Sequence, residues 1–157
     1  CQHVEVSLGV LVYGATCIHQ SKRPLLDNYF NYTKQSESTS KERGLFISEP
    51  KKAETHYSIY EDQHGTHIFA DNDLNLIKEV SELNQAGYQT WKLDGLVTPG
   101  ANFVAIAKVF AEAKAAIETN SWDDAMVENA QQEIQKYHPV GRGMDTGFYH
   151  LDPTAIK

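Results

Sequence analysis

Four short segments place reactive side chains where a fold could use them. The first is Val10-Leu11-Val12-Tyr13-Gly14-Ala15-Thr16-Cys17, which sets a thiol just past an apolar, β-branched run. In parallel α/β folds functional groups gather beyond the carboxyl ends of strands. Lys22 and Arg23 follow closely and would lower the thiol pKa if they fold back toward it. Cys17 is therefore a candidate nucleophile, and Lys22 and Arg23 are candidate substrate contacts. The competing reading of Cys17 is a small thiol packed beside a strand end. The second segment, Glu61-Asp62-Gln63-His64-Gly65-Thr66-His67, joins two carboxylates and two imidazoles. Such a set can ligate a divalent metal, or it can be a turn built on Asp62 and Gly65. If 66–70 is a strand, His64 and His67 share no helical face. The segment then reads as a turn in which the histidines flank Asp62 and Gly65, and no metal is assigned.

The third segment is Trp91-Lys92-Leu93-Asp94-Gly95. Strand alternation puts Trp91 and Leu93 on one side and Lys92 and Asp94 on the other. Inside a barrel Lys92 and Asp94 would face the active-site mouth, which makes both candidate catalytic residues. In the alternative they form an ion pair that closes the strand. The fourth, Gly141-Arg142-Gly143-Met144-Asp145-Thr146-Gly147-Phe148, is glycine-rich but follows a helix and lacks phosphate-loop spacing. Arg142 is its one cation and a candidate anion contact. No H-E-x-x-H, no Ser-His-Asp order and no paired aspartates of the aspartic-protease kind are present.

Hydropathy predicts the elements that must carry these groups. Residues 4–13 read as a strand buried on both faces. Tyr29, Phe30 and Tyr32 cluster in a mixed aromatic stretch, and 33–54 reads as a mobile insertion, although strand character returns at 45–48 and 55–60. A strand over 66–70 leads to a helix capped by Asp73, with Leu76, Ile77, Val80 and Leu83 as its stripe and Gly87 at its end. A strand over 88–93 precedes a helix over 101–118, in which Phe103, Ile106, Phe110, Ala113 and Ile117 repeat at helical spacing. Ser121 and Asp124 suggest a capping box for a last helix with Trp122, Met126, Ala130, Ile134 and Tyr137 inward. Strand-helix-strand-helix between 66 and 118 is the signature of a parallel α/β sheet.

The chain has 157 residues, 41% hydrophobic and 22% charged, with a net charge of −7. That suits a single ordered domain, and no apolar run is long enough for a membrane helix. Charge is unevenly spread. Residues 1–60 hold seven Lys and Arg against six Asp and Glu, and the remainder holds seven against fifteen. The acidic balance argues against generic nucleic-acid binding but allows a local basic groove in the first half. Two cysteines, Cys1 and Cys17, build no disulfide framework and no four-cysteine cluster. They point to a reducing, cytoplasmic setting. The leading Cys reads as a chain cut from something larger.

The order of these segments resembles the collagenase-like peptidases, family thirty-two among the peptidases of unknown catalytic type. Tyr13-Gly-Ala-Thr-Cys17 with Ser21, Glu61 to Phe69 with Asp73-Leu74, Trp91 to Gly95, and Arg142-Gly143 with Thr146-Gly147-Phe148 carry the resemblance. It implies an α/β fold, the C-terminal half of a TIM-like barrel with parallel strands and packed helices. Residues 1–137 would belong to the barrel and 138–157 to a tail. It implies a peptidase of unknown substrate, with Cys17, His64, Lys92 and Asp94 around the barrel mouth. The alternative is a subunit of an oxygen-independent hydroxylase acting on wobble uridine in tRNA. Where many relatives carry His, Glu and a second cysteine, this chain has Tyr13, Gly9 and Pro24. An iron–sulfur cluster is accordingly not expected, and no other cofactor is evident. The expected partners are a second copy or a cysteine-complete paralogue, which the present chain would support without catalysing, together with a peptide or tRNA.

Overall fold

The computed structural model describes residues 6–34 and 44–155. The chain forms two compact units, one of residues 1–15 with 72–157 and one of residues 16–71. The first contains strands β1 (Gly9–Gly14), β6 (Asp73–Asn75), β7 (Thr90–Leu93) and β8 (Met144–Asp145), and helices α2 (Val80–Gln85), α3 (Gly100–Glu118) and α4 (Asp124–Tyr137). The second contains β2 (Cys17–Ser21), β3 (Phe46–Glu49), β4 (Lys52–Asp62), β5 (Gly65–Phe69) and helix α1 (Leu25–Thr33).

The sheet of the first unit runs β7-β1-β6-β8. The apolar run makes β1 an inner strand, with Val12, Tyr13 and Gly14 buried. It pairs parallel with β7, Val10 opposite Trp91 and Leu11 opposite Lys92, and antiparallel with β6. One core joins Val12 and Tyr13 to Leu76, Ile77, Val80, Leu83, Ile106, Phe110, Ala113, Ala130 and Ile134. The helical stripe read for 101–118 becomes α3, whose Ile106, Phe110 and Ala113 are buried, and Ala130 and Ile134 are the buried residues of α4. The periodicity sufficed here because one apolar face must leave water.

Caps and boundaries came out differently. Asp73 does not cap a helix. It is a fully buried strand residue, and the helix that follows starts only at Val80. Its backbone N–H donates to the Gly143 carbonyl, and Asp73 sits opposite Met144 in the β6–β8 pair. For α4 the cap is Asp123, whose Oδ1 accepts from Met126 N at 2.8 Å. Ser121 instead donates to the Ala116 carbonyl at the end of α3.

The second sheet runs β2-β5-β4-β3 and is wholly antiparallel. Leu26 and Phe30 of α1 pack on Ile59, with Leu45 and Ile68 beside them. Residues 46–49 and 52–54 are strand, so that part of the expected insertion loop is ordered; residues 35–43 lie outside the described residues. The α/β class thus holds, but the uniformly parallel arrangement does not. Among the described residues only β1 with β7 and β6 with β8 run parallel. The strand over 66–70 belongs to the antiparallel sheet, so the strand-helix-strand-helix pattern does not form one parallel unit. Periodicity reports which face of a strand is buried, not which strand it pairs with. A barrel half is not observed.

Candidate functional site

The densest buried polar cluster lies in the first unit, where β1 and β7 end. Tyr13 is the last side chain of β1 before Gly14. Its hydroxyl lies 3.0 Å from His138 Nδ1 and 3.3 Å from Thr98 Oγ1. His138 follows α4 directly and is held in an extended conformation before Pro139. Its Nε2 stands 3.7 Å from Asp73 Oδ2 and makes no hydrogen bond. Asp73 is clasped by Arg142, with Nη2 2.6 Å from Oδ1 and Nε 3.2 and 3.1 Å from the two carboxylate oxygens. This fork geometry is the strong form of a charge-assisted pair.

Burial sets the protonation of the cluster. It pushes the Tyr13 phenol above its ordinary value, an effect that the Thr98 hydrogen bond opposes and the nearby Asp73 charge reinforces. Burial also holds the His138 imidazole below its ordinary value, against the pull of Asp73. Near neutral pH the phenol is therefore protonated and the imidazole uncharged. Asp73 and Arg142 are the charged pair, and Tyr13, Thr98 and His138 form a neutral hydrogen-bonded chain beside it. Such a chain can hold or pass a proton. It also ties the segment after α4 to β1 and β6.

Segments that carried the sequence resemblance meet here. The Asp94 N–H donates to the Tyr13 carbonyl at 2.8 Å. Gly14 has φ +118°, and a Cβ there would overlap the Asp94 carbonyl. Only glycine allows both that backbone angle and that approach. Asp73 meets Arg142 and Gly143 as described. Tyr13, Asp73, Thr98 and His138 were not read as site residues. Tyr13 looked like the end of an apolar strand, Asp73 like a cap, and His138 was read only as the start of the tail. The available signal was that Tyr13, Asp73 and Arg142 all belong to the segments that carry the resemblance.

The residues expected to act are more scattered. Lys92 is exposed on β7, and Asp94 is half-buried just beyond it. Asp94 Oδ1 accepts from Leu96 N at 2.8 Å, which makes a local turn. The two are not ion-paired with each other. Arg142 is bound to Asp73 as above. In the second unit, Cys17 opens β2 and is exposed, its thiol donating to the His19 carbonyl at 3.4 Å. His64 sits in the turn between β4 and β5, its N–H donating to Asp62 Oδ1 at 2.7 Å. That bond, before the His67 contact, holds the Asp62 carboxyl below the ordinary carboxylate range. His67 Nε2 lies 3.2 Å from the same oxygen.

The strand register keeps Cys17 and His64 apart. Cys17 pairs with Phe69 and Ser21 with Thr66, whereas His64 lies beyond Gly65. From the level of Phe69 to His64 is five residues, at ~3.3 Å each roughly 16 Å, too far for a thiol–imidazole pair. No group of three His, Cys, Asp or Glu placed to hold a metal occurs among the described residues. Lys22 and Arg23 are exposed between β2 and α1.

Glu61 supplies a structural role that its sequence did not reveal. Its carboxylate accepts from Leu26 N and Asp27 N at 2.9 and 3.3 Å, and from the buried Thr66 hydroxyl at 2.5 Å. It thereby caps α1, which has no side-chain cap of its own.

No helix among the described residues is long and apolar enough to cross a membrane. No solved structure matches the chain. A curated relative, the tRNA hydroxylation protein P2 of Bacillus subtilis (strain 168), is 36% identical over 152 residues. The match covers 94% of this chain and 49% of the relative, so the chain spans about half the length of that protein. A family model described as Peptidase family U32 matches residues 1–157. With that match over its whole length, the chain belongs to peptidase family U32.

Proposed function

We propose that this chain is part of a protein that takes part in hydroxylation of tRNA, at the wobble uridine. The observation that carries the reading is the 36% identity, over nearly the whole chain, to a protein named for tRNA hydroxylation. This corrects the peptidase activity, and the collagenase-like activity with it, that the family resemblance implies. The relative is named for RNA modification, and a family label is a weaker guide to chemistry than a relative at this identity. The separation of Cys17 from His64 agrees with the correction. The cytoplasm is the compartment that fits such a substrate.

Within this reading the chain acts as a supporting subunit. Cys17 starts an exposed strand with no second ligand-type thiol described near it. Cluster chemistry would then fall to a cysteine-complete paralogue. The remaining half of the longer protein would contribute the other strands of a TIM-like barrel. The test is nucleoside mass spectrometry of tRNA from a strain lacking the parent protein, with native mass spectrometry of that protein, its paralogue and tRNA. The expected result is loss of the hydroxylated uridine and recovery of a complex with the paralogue. Hydroxylated uridine at its normal level would refute the reading.

A further inference from the structure

Helix α1 buries Leu26 and Phe30 against the second sheet and turns Leu25, Tyr29 and Tyr32 to solvent. Those three are spaced four and three residues apart, so they form one stripe. Tyr29 is 58% exposed and Tyr32 87%. Two large aromatic rings presented this way leave much apolar area in water. Tyr29 is not loose, since its ring meets that of the buried Phe30 edge to face at 5.5 Å.

Cations flank the stripe at both ends. Lys22 and Arg23 precede the helix and Lys34 follows it, all exposed. None of the three makes an ion pair among the described residues. The acids near Lys22 and Arg23 among the described residues include Asp27, which is half-buried, Glu61, whose carboxylate is engaged by the helix N–H groups, and the exposed Asp62, whose Oδ1 accepts from His64 N and faces His67 Nε2. Aromatic faces between free cations are the arrangement that binds single-stranded nucleic acid, with bases stacking on the rings and phosphates meeting the cations.

We propose that the outer face of α1, with Tyr29 and Tyr32 as the platform and Lys22, Arg23 and Lys34 around it, holds unpaired nucleotides of an RNA. This rests on the tRNA reading above and adds where the RNA is gripped. The charge complementarity favours an RNA over a protein partner, since a purely apolar partner would leave three cations unanswered.

The test is fluorescence anisotropy with a labelled tRNA stem-loop and with the same stem closed as a duplex. Tyr29→Ala/Tyr32→Ala should weaken stem-loop binding by about 5- to 150-fold for each stacked base lost. Tyr29→Phe/Tyr32→Phe should keep it, and duplex binding should be insensitive to both changes. Lys22→Gln/Arg23→Gln should lower the slope of log K against log salt by about 1.4, the single-strand value for two phosphate contacts. Both Tyr positions are exposed, so circular dichroism should confirm unchanged folding. Stem-loop binding that survives every variant overturns the surface and leaves the tRNA reading standing. Variants that bind RNA normally but lose self-association or a protein partner also overturn it, and assign the face to a protein. Failure of the unsubstituted chain to bind the stem-loop overturns it as well. The tRNA reading is then judged separately by nucleoside analysis.

Discussion

Replacing Arg142 with Met should unfold the first unit's polar cluster from within. Met keeps most of the aliphatic stem and removes the guanidinium. Asp73 is fully buried, and Arg142 contacts both its oxygens, the shortest distance being 2.6 Å. Among the described residues the only other cation candidate nearby is His138, which burial keeps neutral and whose Nε2 stands 3.7 Å away without a hydrogen bond. The variant therefore leaves a carboxylate in the core with no charge to answer it. Removing one partner of a buried pair costs about 3–5 kcal/mol. The Arg142 side chain is 16% exposed, so the lower end, about 3 kcal/mol, is expected. With a urea dependence of about 2 kcal/mol per molar, the midpoint falls by roughly 1.5 M. Trp91 and Trp122 both belong to the first unit and pack on its core, so their fluorescence reads the transition directly. Asp73→Asn/Arg142→Met should be more stable than Arg142→Met alone by more than about 1 kcal/mol, because the amide carries no charge to strand. An Arg142→Met protein within about 1 kcal/mol of the parent would refute the argument, as would a double variant whose loss equals the sum of the singles.

Three further outcomes follow from the same geometry. His138 is held below its ordinary value by burial. The stability gained from a neutral imidazole is thus complete above its unfolded value of about 6.5 and is lost as pH falls through that value toward the lower folded one; urea midpoints from pH 8 to 5 should fall in the parent and fall less in His138→Gln. Gly14→Ala should cost more than about 2 kcal/mol, because it combines a left-handed φ with overlap on the Asp94 carbonyl, and a melting temperature equal to the parent's would contradict that. Glu61→Ala should loosen α1 by about 0.5–2 kcal/mol through loss of its cap, seen as faster amide exchange at Leu26 and Asp27 with the first unit unchanged.

How much of the molecule could be read beforehand depends on the range of each interaction. The stripes of α3 and α4 were legible because burial on a helix is periodic along the chain, and Ile106, Phe110, Ala130 and Ile134 fall where the spacing puts them. The α/β class and most strand positions were legible for the same reason. Strand partners were not. Residues 66–70 look the same whether they pair parallel or antiparallel, and the choice made by β2 and β4 is non-local. Asp73 shows the limit most plainly. By local chemistry it is a good helix cap, yet an arginine 69 positions away claims its carboxylate, and the β-pairing with Met144 claims its backbone.

The residue types at Tyr13, Asp73, Arg142, Lys92 and Cys17, and the family to which their order belongs, are properties of the sequence by itself. The tertiary structure decided which of them meet. It placed Tyr13 and His138 in contact, locked Arg142 onto Asp73, and kept Cys17 and His64 at different ends of one sheet. A side chain's chemistry is set by its type. Its protonation and partners depend on burial and on contacts across long stretches of chain, which no local spacing encodes.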